Sequence, residues 1–123
     1  MKGDTIRSSI RLRLVLQPDL AFGPGKADLL EGIAVTGSIA AAGRRMGMSY
    51  KRAWSLVETL NSNFREPLVS SSLGGARGGG ATLTDSGKRV LDLYRAIERR
   101  TDASSRLEIE EMRMMLSDMS GET

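Results

Sequence analysis

Ser38-Ile39-Ala40-Ala41-Ala42-Gly43-Arg44-Arg45-Met46-Gly47-Met48-Ser49-Tyr50-Lys51-Arg52-Ala53-Trp54 is the stretch whose reading decides the fold. Ser38 can cap a helix, because a serine hydroxyl accepts one of the backbone NH groups left unpaired at a helix start. The residues after it are small, which permits close approach of a neighbouring helix. Gly47 suits a left-handed helix stop. Ser49 caps a further helix, in which Ala53, Leu56, Val57 and Leu60 fall on one face. Two helices joined by a tight glycine-containing turn, the second beginning Ser-Tyr-Lys-Arg, are the sequence signature of a helix-turn-helix.

Subtracting the apolar face of the second helix leaves Tyr50, Lys51, Trp54, Ser55 and Glu58 pointing outward. The N-terminal half of such a helix is the part that enters a DNA major groove, where polar side chains read base edges and apolar groups meet thymine. Ser38, Arg44, Arg45 and Arg52 suit phosphate contacts, and Ser49 at the helix mouth joins the same candidate set. The plainer alternative keeps Trp54 partly in the core and the cations as solvated surface.

Working outward, Ile10, Leu12, Leu14 and Leu16 alternate with Arg11, Arg13 and Val15, which predicts a half-buried strand ended by Pro18. Phe22-Gly23-Pro24-Gly25 reads as a turn, and Ala27, Leu30, Ile33 and Ala34 mark a first helix closed by Gly37. Beyond Phe64 and Pro67, residues 68–73 and 81–83 read as two strands of a hairpin whose tip holds five glycines and Arg77. The tip lacks the G-x-x-x-x-G-K-[ST] and G-x-G-x-x-G patterns of nucleotide cradles. Directly after a helix-turn-helix it reads as a wing, with Arg77 set to lie along a phosphate strand. Thr84 caps a last helix with Val90, Leu91, Tyr94 and Ile97 on its apolar face. A second apolar run, Ile109, Met112, Leu116 and Met119, follows a polar waist. One long helix or two with a break would both fit, and a helix continuing past residue 100 is favoured.

The chain of 123 residues has the composition of one small globular domain. It contains no Cys and no His, which excludes Cys/His zinc sites, cysteine nucleophiles and every Ser-His or Cys-His catalytic pair. Asp28 and Glu31 stand three apart on one helix, a spacing usually explained by solvated charge. No enzyme is expected, and no cofactor or metal. Residues 1–100 carry 16 Lys/Arg against 9 Asp/Glu, whereas residues 101–123 carry 2 against 6, so a basic body precedes an acidic tail. No acid lies between Glu31 and Glu58, while Arg44, Arg45, Lys51 and Arg52 do, which concentrates positive potential for a polyanion. The N-terminal residues lack the apolar run of a secretory signal, and the apolar stretch Ile39 to Ala42 is far too short to span a membrane. A cytoplasmic protein is expected.

The order strand, helix, helix, helix, hairpin, helix is that of a mainly α winged helix-turn-helix with a small β component. Gly37-Ser38-Ile39-Ala40, Ser49-Tyr50-Lys51-Arg52-Ala53-Trp54, the tip Gly74 to Gly80 and Leu83-Thr84-Asp85-Ser86-Gly87-Lys88-Arg89-Val90 resemble the N-terminal DNA-binding domain of the ModE molybdate-responsive transcriptional regulators. The likeness covers about residues 12 to 100. Its Gly-Ser-Ile start and its Leu-Thr-x-x-Gly after the wing are shared more loosely with LysR-type regulators. The resemblance implies a homodimer on double-stranded DNA, paired through the N-terminal strand and the last helix. Leu12, Leu14, Ile109, Met112, Leu116 and Met119 are the residues placed there. Full-length ModE proteins also carry molybdate-binding domains, for which this chain is expected to have no room, so its effector is left open.

The expected organisation is a flexible N-terminus over 1–9, the winged helix-turn-helix over 10–100 and an acidic helical extension over 101–123. The leading function is sequence-specific binding of double-stranded DNA by a transcriptional regulator. The alternative is a winged helix used for protein interaction, pairing with another regulator. Single-stranded nucleic acid fits poorly, because Phe22, Tyr50, Trp54, Phe64 and Tyr94 are dispersed rather than arrayed on a strand.

Overall fold

A computed structural model describes residues 10–72 and 80–117. Within them a hairpin of β1 (Leu14–Gln17) and β2 (Leu20–Phe22) leads into α1 (Pro24–Thr36), α2 (Ile39–Arg45) and α3 (Tyr50–Asn63). A second hairpin, β3 (Val69–Ser72) and β4 (Gly80–Leu83), precedes α4 (Asp85–Ser104) and α5 (Arg106–Met114). Both hairpins are antiparallel and form separate two-stranded sheets. This is a winged helix-turn-helix, as the order of sequence signals implied.

The N-terminal strand differs from its expectation. Alternation predicted Leu12, Leu14 and Leu16 on one buried face, but Leu16 is exposed. The register of β1 against β2 shifts between Val15 and Gln17, and an extra residue in one strand reverses the side-chain alternation beyond it. Pro18 does end β1, yet the chain turns back immediately and pairs Leu14 with Phe22; this return strand was not predicted, and Phe22, expected in a turn, is its last residue.

The predicted N-caps of α2, α3 and α4 are all in place. The hydroxyls of Ser38, Ser49 and Thr84 accept from the backbone NH groups of Ala41, Arg52 and Gly87. Gly37 and Gly47 take φ of 73° and 71°, the left-handed region where a side chain would be strained. The core gathers Leu29, Leu30 and Ile33 of α1, Ala42 of α2, and Ala53, Val57 and Leu60 of α3, with Leu68, Leu83 and Tyr94 closing it. Phe22 packs edge-on against Tyr94 at 5.2 Å and Phe64 at 6.5 Å, which seats the first hairpin on this core. Ala34, assigned to the buried face of α1, is exposed, and Leu29 takes an inward place instead.

The last helix breaks. α4 runs through residue 100 to Ser104, Ser105 interrupts it, and α5 begins at Arg106. The Ser105 hydroxyl donates to the Thr101 carbonyl at 2.6 Å, a local bond of the kind that competes with helical pairing. Of the sequence expectations, the flexible N-terminus, the end of the second hairpin's first strand and the glycine tip with Arg77 over 73–79, and the end of the extension with Met119 over 118–123 lie outside the described residues.

Candidate nucleic-acid interface

The approach of α2 to α3 depends on the small residues of the opening stretch. A Cβ placed on Gly43 would stand 2.9 Å from the Ala53 Cβ, closer than packed carbons come. Similarly, a Cβ on Gly32 of α1 would meet the Ala42 Cβ at 3.0 Å. Three helices are thus drawn together at contacts that larger residues would hold apart. The turn between α2 and α3 is tied by Met46 and Met48 NH groups, both donating to the Gly43 carbonyl at 3.0 Å.

With Ala53, Val57 and Leu60 directed into the core, the 100° step of a helix points Lys51, Ser55 and Glu58 the opposite way. Lys51, Arg52, Ser55 and Glu58 are all exposed, and Tyr50 is 58% exposed. Trp54 is half-buried and packs against the core, and its ring meets that of Tyr50 edge-to-face at 6.3 Å and 79°. The plainer reading of Trp54 is therefore correct for part of its ring. The Ser49 hydroxyl accepts at 3.1 Å from Arg52 NH, and the Ser38 hydroxyl at 3.0 Å from Ala41 NH. Each cap uses an acceptor lone pair, and a serine hydroxyl also carries a proton to donate.

Arg44 is exposed at the end of α2, but Arg45 faces elsewhere. It lines an open cavity of about 530 Å³ together with Arg11, Asp28, Glu31, Arg95 and Glu98. Three guanidinium groups there face three carboxylates, so the cleft does not extend a cationic surface. At its centre Arg95 of α4 donates to Asp28 at 2.9 Å and Glu31 at 2.6 Å across to α1, and to Glu98 at 3.1 Å on its own helix. Burial works against the charge of Arg95, yet the hydrogen bonds to these carboxylates outweigh it and its pKa is raised. Asp28 and Glu31, read in sequence as solvated charge, do stay about half exposed, and they also pair with Arg95 across α1 and α4. Their i, i+3 spacing was the available signal, and no sequence rule identified the distant arginine.

The root of the second hairpin was also missed. Asn61 near the end of α3 accepts from Leu68 NH at 2.8 Å and Val69 NH at 3.0 Å, and donates to the Val69 carbonyl at 3.0 Å. An asparagine inside a helix, where its propensity is poor, was the one hint. On the other side, Ala81 NH donates to the Gly37 carbonyl at 2.9 Å, which fastens β4 to the junction of α1 and α2. The wing and the α3 ridge are therefore carried by one framework.

The residues expected to pair protomers divide. Leu12 and Leu14 are half-buried, Leu14 packs on the core, and the Leu12 carbonyl accepts from Tyr94 at 2.6 Å. α5 has no buried residue, and Met112 and Leu116 are exposed, along with Leu107, Met114 and Met115. Ile109 is half-buried. Among the described residues no helix is long and apolar enough to cross a membrane, and no cluster of metal-ligating side chains occurs.

No family model matches the chain. The molybdenum-pterin-binding protein MopB of Rhodobacter capsulatus is 45% identical over 77 residues, 63% of this chain and 28% of that protein. The DNA-binding transcriptional dual regulator ModE of Escherichia coli K12 is 39% identical over 89 residues, 72% of this chain and 34% of its own length. The chain thus spans about a third of the length of the relatives it matches. Among solved structures, the CbnR DNA-binding domain from a crystal structure of its DNA complex superposes with a TM-score of 0.54. That likeness covers 71% of this chain and 95% of the other at 22% identity, and it bears on the fold. Over about the first 70% of its length, the chain is a homologue of the ModE transcriptional regulators and the Mop molybdenum-pterin-binding proteins.

Proposed function

We propose that this protein is a sequence-specific binder of double-stranded DNA acting as a ModE-type transcriptional regulator. The observation that carries the reading is the exposed ridge of α3, where Tyr50, Lys51, Arg52 and Ser55 are open to solvent and Lys51 and Ser55 point away from the core. A helix presented this way fits a major groove, and the homologous E. coli protein is a DNA-binding regulator by name. Ser38, Ser49, Arg44 and Arg52 then contact phosphates around the reading helix, with Arg77 reaching the flank. Arg45 lines the charge-balanced cleft with Asp28, Glu31, Glu98, Arg11 and Arg95 and is the weakest member of the set. Residues 10–100 form the DNA-binding unit and residues 101–123 an extension.

The protein works as a homodimer in this reading, so that two reading helices address paired half-sites. The exposed apolar side chains of α5 support pairing, because a helix with no fully buried residue in its own protomer gains stability from a second copy. No catalytic role is assigned, and the effector is open. Binding to genomic fragments across a salt series tests the reading. Log affinity should fall linearly with log salt, and Arg52→Ala should reduce the slope by roughly one unit. Retention of no fragment over random duplex, with affinity insensitive to salt, is the result that would overturn it.

A further inference from the structure

Tyr50 and Trp54 stand one helical turn apart at the start of α3, their ring centroids 6.3 Å apart at 79°. Trp54 is packed against the core, so it forms a fixed prop, and Tyr50 leans on that prop with 58% of its surface exposed. An aromatic ring has few torsions and this one is held edge-to-face, so little freedom is lost when it contacts a ligand. Beside the pair, Lys51 and Ser55 supply hydrogen-bonding groups on the same exposed surface. The ridge therefore has one polar stripe and one apolar edge.

Four base-pair orientations present many donors and acceptors in the major groove but one apolar group, the 5-methyl of thymine. We propose that the Tyr50–Trp54 pair is the thymine-reading element of this protein, contacting a 5-methyl group in each half-site. The assignment rests on the duplex-binding reading above. Lys51 and Ser55 read or position the neighbouring base pair, while the rings exclude water from the methyl. Tyr50 contributes through its ring, and its hydroxyl is not the recognised group.

The experiment uses the full chain and a duplex selected by it from a randomised library. Each thymine in turn is replaced by deoxyuracil, which removes the methyl and leaves all hydrogen-bonding edges intact. At one or two positions per half-site, affinity should fall about fourfold, the effect of leaving one buried carbon unburied. Tyr50→Phe should keep that thymine-to-uracil ratio, whereas Tyr50→Ala should bring it towards one. Tyr50 is exposed, so its replacement leaves the core unchanged, and circular dichroism checks this. Equal binding of thymine and uracil duplexes at every position would overturn the assignment while leaving duplex recognition standing. Loss of the ratio in Tyr50→Phe would also overturn it, by moving the contact to the hydroxyl. Failure to select any duplex would remove the underlying reading, and the assignment with it.

Discussion

Gly87 shows how a residue of a sequence signature acquires its meaning. In the string Leu83-Thr84-Asp85-Ser86-Gly87 it follows the Thr84 cap by one turn, where sequence reasoning gave it no task. In the fold, a Cβ there would collide with the Leu68 carbonyl oxygen, a backbone atom that cannot swing aside. That carbonyl already accepts from Thr84 NH at 2.9 Å. Gly87→Ala should therefore cost about 3 kcal/mol through overpacking, lowering the thermal midpoint by roughly 10–20 °C in a melt followed by circular dichroism. Tyr94 carries a different liability. Burial, followed by the charge of Glu98, raises its pKa above the ordinary phenol value of 10.0. Above that pH the unfolded chain loses the phenolic proton while the folded chain keeps it, so stability must fall as pH rises through about 10. Denaturant titrations at pH 8 and pH 11 should show this decline, and Tyr94→Phe should flatten it. At neutral pH the same variant should cost about 1 kcal/mol for the lost bond to Leu12.

At the scale of elements, caps and periodicities were readable because they are local. Ser38, Ser49 and Thr84 each bond to an NH three residues on, a relation written in consecutive sequence. The bulge in β1 was not readable, since alternation looks unbroken from Ile10 to Leu16 and only pairing with β2 reveals the extra residue. Nor was the docking of the second hairpin, which depends on Asn61 meeting a segment seven and eight residues away. Asn61→Leu leaves the NH groups of two buried residues, Leu68 and Val69, without that acceptor. It should cost about 3 kcal/mol, with amide exchange at Leu68 and Val69 accelerating more than in α1. If exchange instead rises uniformly, Asn61 does not hold the wing root in particular.

For the whole molecule, the question is how the helix-turn-helix is joined to the last two helices. Arg95 ties α4 to α1 through Asp28 and Glu31, which links α4 to the helix-turn-helix. α5 carries Leu107, Met112 and Met114 exposed, with Leu116 exposed just beyond it. A dimer formed there would hold two copies of α3 at a set spacing, which is what paired half-sites demand. Met112→Glu should shift sedimentation from dimer to monomer at micromolar concentration. It should weaken binding to a two-half-site duplex more than to a single half-site. An unchanged sedimentation coefficient would place the pairing surface elsewhere.

The helix-turn-helix register, the caps, the wing's position and the outward set Tyr50, Lys51 and Ser55 were determined by sequence alone, because each rests on neighbours within one or two turns. Tertiary structure decided that Leu16 faces outward, that Trp54 is a half-buried prop, that Arg45 lines a charge-balanced cleft and that Asp28 and Glu31 hold a distant arginine. Local patterns record which face of an element is apolar. They do not record which other element, tens of residues away, will supply the partner atom, and it is that partner which settles whether a charge is solvated or clamped.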